Sequence, residues 1–299
     1  MNNALKTPKV SVVIPCFNHG EFLRDAVESV VKLNRPDVEL IVVDDGSTDE
    51  PTRTGMVTLQ KEGHHVIRQD NNGLAAARNA GILASRGEYI LPLDADNRIR
   101  RAYIERSIEI LDGNPDVGVV YGDAEYIGLR VGRWEVGSFD PVRLLKTNYI
   151  DACAVYRRSV WEKNGGYDGG MPVQGLEDWD FWVGALEHGW QFVYVPEILF
   201  EYRVSNESMI TRARDFWPSL EEFVSRKHGL VYKKAWLSNL SDIEELHRER
   251  ESIVLTLKNL RRLVRKRLAT CARKYRRGQN PDCHDAGFVA DMASGVERT

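Results

Sequence analysis

A chain of 299 residues, 42% hydrophobic and 28% charged, has the balance of an ordinary globular protein and is long enough for one large domain plus an appendage. A net charge of -3 argues against a global commitment to nucleic acid, which is not expected as a partner. The four cysteines, Cys16, Cys153, Cys271 and Cys283, form no C-x-x-C pair, so neither a zinc site nor a disulfide framework is indicated, and no apolar stretch approaches the roughly 20 residues that span a bilayer. A cytoplasmic protein is expected.

Val10 to Pro15 is a largely β-branched run, and Phe22, Ala26, Val30 and Leu33 then return at helical spacing, which predicts a strand followed by a helix. A second strand, Glu39 to Val43, ends in the turn-forming Asp44-Asp45-Gly46-Ser47-Thr48-Asp49. A third, His65 to Arg68, leads through Asn71-Asn72-Gly73 into an Ala-rich helix from Leu74 to Ala84. Glu88 to Leu93 reads as the fourth strand, Arg101 to Leu111 as an amphipathic helix and Val117 to Tyr121 as the fifth strand. Apolar strands alternating with helices predict an α/β fold, a mostly parallel sheet flanked by helices, with ligands at the carboxyl ends of its strands. Beyond Tyr121 the pattern shortens. Ala124 to Val136 predicts antiparallel strands, Cys153 to Tyr156 another, Glu177 to His188 a helix and Phe192 to Arg203 two short extended pieces. From about Asp215 the chain reads as helical, ending in a loose tail. The expected division is a catalytic domain over 1–212, with a nucleotide-binding half at about 9–121 and an acceptor half at 122–212, followed by a helical extension over 213–299.

The polar signatures after the strands carry the chemistry. In Asp94-Ala95-Asp96 the two carboxylates, spaced i and i+2 at the end of an apolar strand, face one small volume if the chain stays extended. Such a pair repels itself unless a hard cation, Mg²⁺ or Mn²⁺, lies between, with a diphosphate completing the shell. Asp45 can accept the N–H of a pyrimidine ring while Gly46 turns the backbone; alternatively Asp44 or Ser47 caps the next helix. Arg78 sits in a helix of small residues, where it either binds a base carbonyl or a carboxylate through paired hydrogen bonds or makes a surface ion pair. Glu177-Asp178-Trp179-Asp180 mixes acids with aromatics at a helix start. That pattern serves as N-terminal charge over a core aromatic, or as sugar chemistry, with rings packing on pyranose faces and a carboxylate taking a hydroxyl proton. No G-x-G-x-x-G follows the first strand, which sets a dinucleotide oxidoreductase aside.

In order and approximate spacing, Val10 to Asn18, Asp44 to Asp49, Gly73 to Gly81, Asp94-Ala95-Asp96 and Glu177-Asp178 resemble the GT-A-fold family 2 glycosyltransferases, an inverting family, over about Lys9 to Thr211. The resemblance implies that Pro15, Phe17, Asn18, Asp45 and Arg78 surround the nucleotide of a UDP-sugar. It further implies that Asp96, helped by Asp94, holds the divalent metal on the diphosphate, that Asp178 is the general base, and that Glu177 and Trp179 lie near donor sugar or acceptor. Many relatives carry a His after the Tyr-Arg of the last extended segment, where Tyr202-Arg203-Val204 is followed here by Ser205; Arg203 can meet the phosphates or form a plain salt bridge. Arg133-Trp134 precedes Asp178 and lacks the Gln of processive members, so a single-addition enzyme is implied. Its acceptor is a glycan, a lipid-linked molecule or another hydroxyl compound, in bacterial surface glycan or glycoconjugate biosynthesis. A non-catalytic nucleotide-sugar binder and a retaining GT-A transferase are the alternatives.

Between Leu246 and Leu268, Ile253, Leu257, Leu260, Val264 and Leu268 recur at helical spacing among Lys258, Arg261, Arg262, Arg265, Lys266 and Arg267. Such a helix serves a homodimer, packs on the catalytic domain, or contacts the inner face of a membrane peripherally.

Overall fold

The computed structural model describes residues 7–205 and 214–276. The core is built on β1 (Val10–Cys16), buried along its whole length and paired in parallel with β2 (Val38–Asp45) on one side and β4 (Tyr89–Pro92) on the other. β3 (His65–Gln69) extends the parallel set beyond β2. The crossovers are α1 (Gly20–Val31), α2 (Glu50–Lys61) and α3 (Leu74–Ala84). Asp49 caps α2, accepting from the Thr52 amide at 3.0 Å. The small residues of α3 matter for packing: a Cβ at Gly81 would lie 2.3 Å from Val13 Cγ1, so only glycine lets the helix come this close to the sheet.

The second half of the sheet departs from simple alternation. α4 (Arg101–Gly113) leads to β6 (Val117–Gly128), yet β6 does not pair with β4. Between them lies β8 (Val155–Arg157), antiparallel to both. β9 (Gln191–Val204) runs parallel to β6, β5 (Arg98–Ile99) closes the far edge, and β7 (Gly132–Trp134) folds back on β6. The order is β3-β2-β1-β4-β8-β6-β9-β5. β9 is one strand where the sequence suggests two pieces. Val195 pairs with Gly122 and Ile198 with Asp123, leaving Pro196 and Glu197 outside the register, and that irregularity interrupts the pattern. The short helices α5 (Pro141–Lys146) and α6 (Arg158–Asn164) were not legible in the sequence; α7 (Glu177–Glu187) was.

After a 3-10 turn at Arg214–Phe216 come α8 (Trp217–Lys227) and α9 (Gly229–Arg276). The chain divides into compact units at Lys234/Ala235 rather than near residue 212, because α8 and its C-terminal end pack on α7 through Trp217 and His228. Within the second unit, Ile253, Leu257 and Leu260 of α9 are exposed. The side chain of Leu268 and the expected tail beyond Arg276 lie outside the described residues. Among the described residues no helix is long and apolar enough to cross a membrane.

Candidate active site

The carboxyl ends of β1 and β2 form one corner of the site. Asn18, with φ of 55°, donates its backbone amide to Ser47 Oγ at 3.1 Å, and its Oδ1 accepts from the Thr48 amide at 2.8 Å. It therefore ties the two strand-end turns together. Pro15 is buried in register with Val43, and Phe17 is exposed at the rim. Asp44 caps its own turn through the Ser47 amide at 2.9 Å. Asp45 accepts from Gln69 Nε2 at 2.7 Å, the Asn72 amide at 3.0 Å and the Gly73 amide at 2.9 Å. In this state its carboxylate shapes the loop leading into α3. Gly46 has φ of 73°, and a Cβ there would meet the Asn71 nitrogen at 2.7 Å.

The acidic pair lies differently from the extended geometry expected of it. β4 stops at Pro92, and Asp94 to Asn97 form a turn in which the Asn97 amide donates to the Asp94 carbonyl at 3.0 Å. The two carboxylates remain close enough that burial, and then the charge of Asp94, push Asp96 up to about 6. His19, just past β1, opposes that shift, so the turn faces the end of β1. Arg203 reads out the same turn: its Nε donates to the Asp96 carbonyl at 3.1 Å and its amide to Asn97 Oδ1 at 2.8 Å. Its guanidinium lies 4.3 Å from the centre of the Phe22 ring.

Arg78 is neither a surface residue nor paired with a single acid. It is 2% exposed and joins two acids far apart in the chain, donating to Asp94 Oδ1 at 2.9 Å and to Glu177 Oε1 at 3.1 Å. Burial works against its charge, but Asp94 and Glu177 together hold it firmly protonated. One guanidinium thus fixes the start of α7 against the acidic turn. Glu177 Oε2 accepts from the Gly175 amide at 2.7 Å. Asp178, next in the chain, accepts from the Trp179 amide and from Asn148 Nδ2, both at 2.9 Å. Burial first, and then the charge of Glu177, push its carboxyl up to about 7, against the opposing pull of Arg78 and Asn148.

Trp179 has no face open to a sugar ring. It is wholly buried, stacked on Trp217 with ring centres 5.0 Å apart, and its Nε1 donates to the Leu144 carbonyl at 2.7 Å. An indole this well packed serves the core that anchors α7. Three residues of the site escaped the sequence reading. Asn148 holds Asp178; Asp151 is pushed up to about 8 by burial and by Asp94 and Asp178; and the Tyr202 hydroxyl is raised by burial and by Asp151, Asp94, Asp96 and Asp178. Asn148 and Asp151 stand in a stretch without periodicity, where only contact in space marks them; Tyr202 was visible, but as the neighbour of Arg203.

Sheet order, acidic turn and buried acid at the start of α7 together define a GT-A class of α/β protein. Residues 11–165 match Glycosyl transferase family 2, and the chain belongs to that family; it is a glycosyltransferase. It is 26% identical over 269 residues to EpsH of Bacillus subtilis (strain 168), which bears a glycosyltransferase name, covering 84% of this chain and 75% of that protein. A PGL/p-HBAD biosynthesis glycosyltransferase of Mycobacterium bovis (strain BCG / Pasteur 1173P2) is 30% identical over 181 residues, 59% of this chain and 69% of the relative. The crystal structure of S. aureus TarS 1-349 in complex with UDP superposes with a TM-score of 0.58 at 19% identity, over 72% of this chain and 65% of that one, a likeness of fold alone.

Proposed function

We propose that this protein transfers one sugar at a time from a UDP-sugar to an acceptor hydroxyl with inversion, in the assembly of a bacterial surface glycan or glycoconjugate. The observation that carries this reading is the Arg78 bridge, which links the turn suited to a diphosphate to the helix start bearing Asp178. In the reaction the acceptor oxygen forms the new bond at the anomeric carbon, Asp178 takes its proton, and the nucleoside diphosphate departs from the opposite face with the electron pair of the broken bond. A carboxyl held near 7 by burial is matched to that proton at neutral pH, a contribution of about 10²- to 10⁴-fold. Pro15, Phe17, Asn18 and Asp45 line the strand ends where the nucleotide binds, and Arg203 stands beside the phosphates. The TarS relative in complex with UDP and the M. bovis relative named for PGL/p-HBAD biosynthesis support the donor and the glycoconjugate setting.

The acidic turn suits Mg²⁺ or Mn²⁺. Asp94 and Asp96 are hard oxygen donors whose mutual repulsion a cation relieves, and Arg78 engages one Asp94 oxygen and not the other. Among the described residues no group of three or more acidic, His or Cys side chains is gathered for a metal, and Asp94 and Asp96 would hold the cation together with oxygens of the diphosphate. When bound, the cation neutralises charge collecting on the leaving diphosphate. The test is a melting series of the purified protein with nucleoside diphosphates and nucleotide sugars, with and without Mn²⁺. Metal-dependent stabilisation by UDP compounds supports the reading; no response to any nucleotide sinks it.

A further inference from the structure

The first turn of α7 carries three buried acids, Glu177, Asp178 and Asp180, and the structure neutralises them selectively. Glu177 has Arg78. Asp180, 3% exposed, is held by two groups from the end of α8: Lys227 Nζ at 2.7 Å and His228 Nε2 at 3.0 Å. Among the described residues, Asp178 between them has only the neutral amide of Asn148 as its side-chain hydrogen-bond partner. Lys227 also reaches Asp168 at 2.7 Å, and His228 Nδ1 meets Glu187 at 2.7 Å, so both are fixed from two sides. Trp217, at the other end of α8, stacks on Trp179. The residues directly after Asp178 are therefore gripped by α8.

We propose that Lys227 and His228, with Trp217, are positioning residues for Asp178: they cancel the charge of Asp180 and pin the helical turn, so that Asp178 alone in that turn is free to take a proton. A buried carboxylate that loses one of its two partners is less fully compensated, and two residues from Asp178 its charge repels a second negative charge there. The groups facing Asp178 are Glu177 on its own helix, Arg78 of α3, Asp151 before β8, Tyr167 after α6 and Tyr202 of β9. None of them compensates Asp180.

This inference rests on Asp178 being the base, and the experiment separates the two. The gain in melting temperature on Asp178→Asn is followed from pH 4.5 to 9 in the wild-type, Lys227→Met and Asp180→Asn/Lys227→Met backgrounds, beside UDP release from UDP-GlcNAc with Mn²⁺. In Lys227→Met the pH at which the gain levels off moves up by about one unit, and kcat at pH 7 falls about fivefold with KM within about twofold. The Asp180→Asn/Lys227→Met pair restores both, because the charge to be cancelled is gone. An unmoved profile in a folded Lys227→Met protein, or no rescue in the pair, overturns the proposal. UDP release undiminished by Asp178→Asn instead removes the base itself. Should UDP-GlcNAc not turn over at all, the melting profiles decide the matter by themselves.

Discussion

Asp178→Asn should abolish turnover and stabilise the protein, with a defined pH dependence. The carboxyl titrates near 7 in the folded chain against an ordinary value of 3.8, so between those values the folded state holds a proton that the unfolded state has lost. Stability therefore falls as pH rises from about 4 to about 7 and is flat above. At ~1.4 kcal/mol per unit, the charged group costs up to about 4 kcal/mol at pH 8. Asparagine removes that cost. Its carbonyl oxygen still accepts from the Trp179 amide, and its amide faces Asn148, whose Oδ1 is buried without a partner and can accept once that side chain turns over. At pH 8 the variant should melt higher, by about 2–4 °C for each kcal/mol recovered, and at pH 4.5 the gap should shrink to about a quarter of that. Differential scanning calorimetry at pH 4.5, 6 and 8 reads this directly. Equal melting at pH 8, or a gap indifferent to pH, would refute the electrostatic account of this residue.

Arg78→Met leaves Glu177 buried and Asp94 half-buried without their shared cation; a loss of about 3 kcal/mol in urea unfolding is expected, and Arg78→Lys should recover only part of it because an ammonium lacks the two-armed reach. Asp96→Ala should remove the Mn²⁺ dependence of UDP stabilisation in calorimetric titration while leaving the fold intact, since the Arg203 contact in that turn is to the residue 96 backbone carbonyl. Gly81→Ala drives a methyl against Val13 and should cost about 1–3 kcal/mol by denaturant melts, although alanine is the better helix former.

The part of this protein written locally was legible without coordinates. Leu74 to Ala84 is a helix with the bounds its composition predicts, and the first four strands stand where apolar runs end in Asp, Asn and Gly, because periodicity and turn chemistry depend on near neighbours. The candidate acids could be named for the same reason: they cluster at strand ends and a helix start. What each acid touches was not legible. Arg78 reaches Glu177 across 99 positions, Asn148 reaches Asp178 across 30, and Asp180 finds its compensation in α8. Nor could spacing tell that β8 inserts between β4 and β6, that the acidic pair bends into a turn, or that Trp179 belongs to the core. Burial and long-range pairing exist only once the chain has closed on itself, and here they determine that Glu177 meets Arg78 while Asp180 meets Lys227.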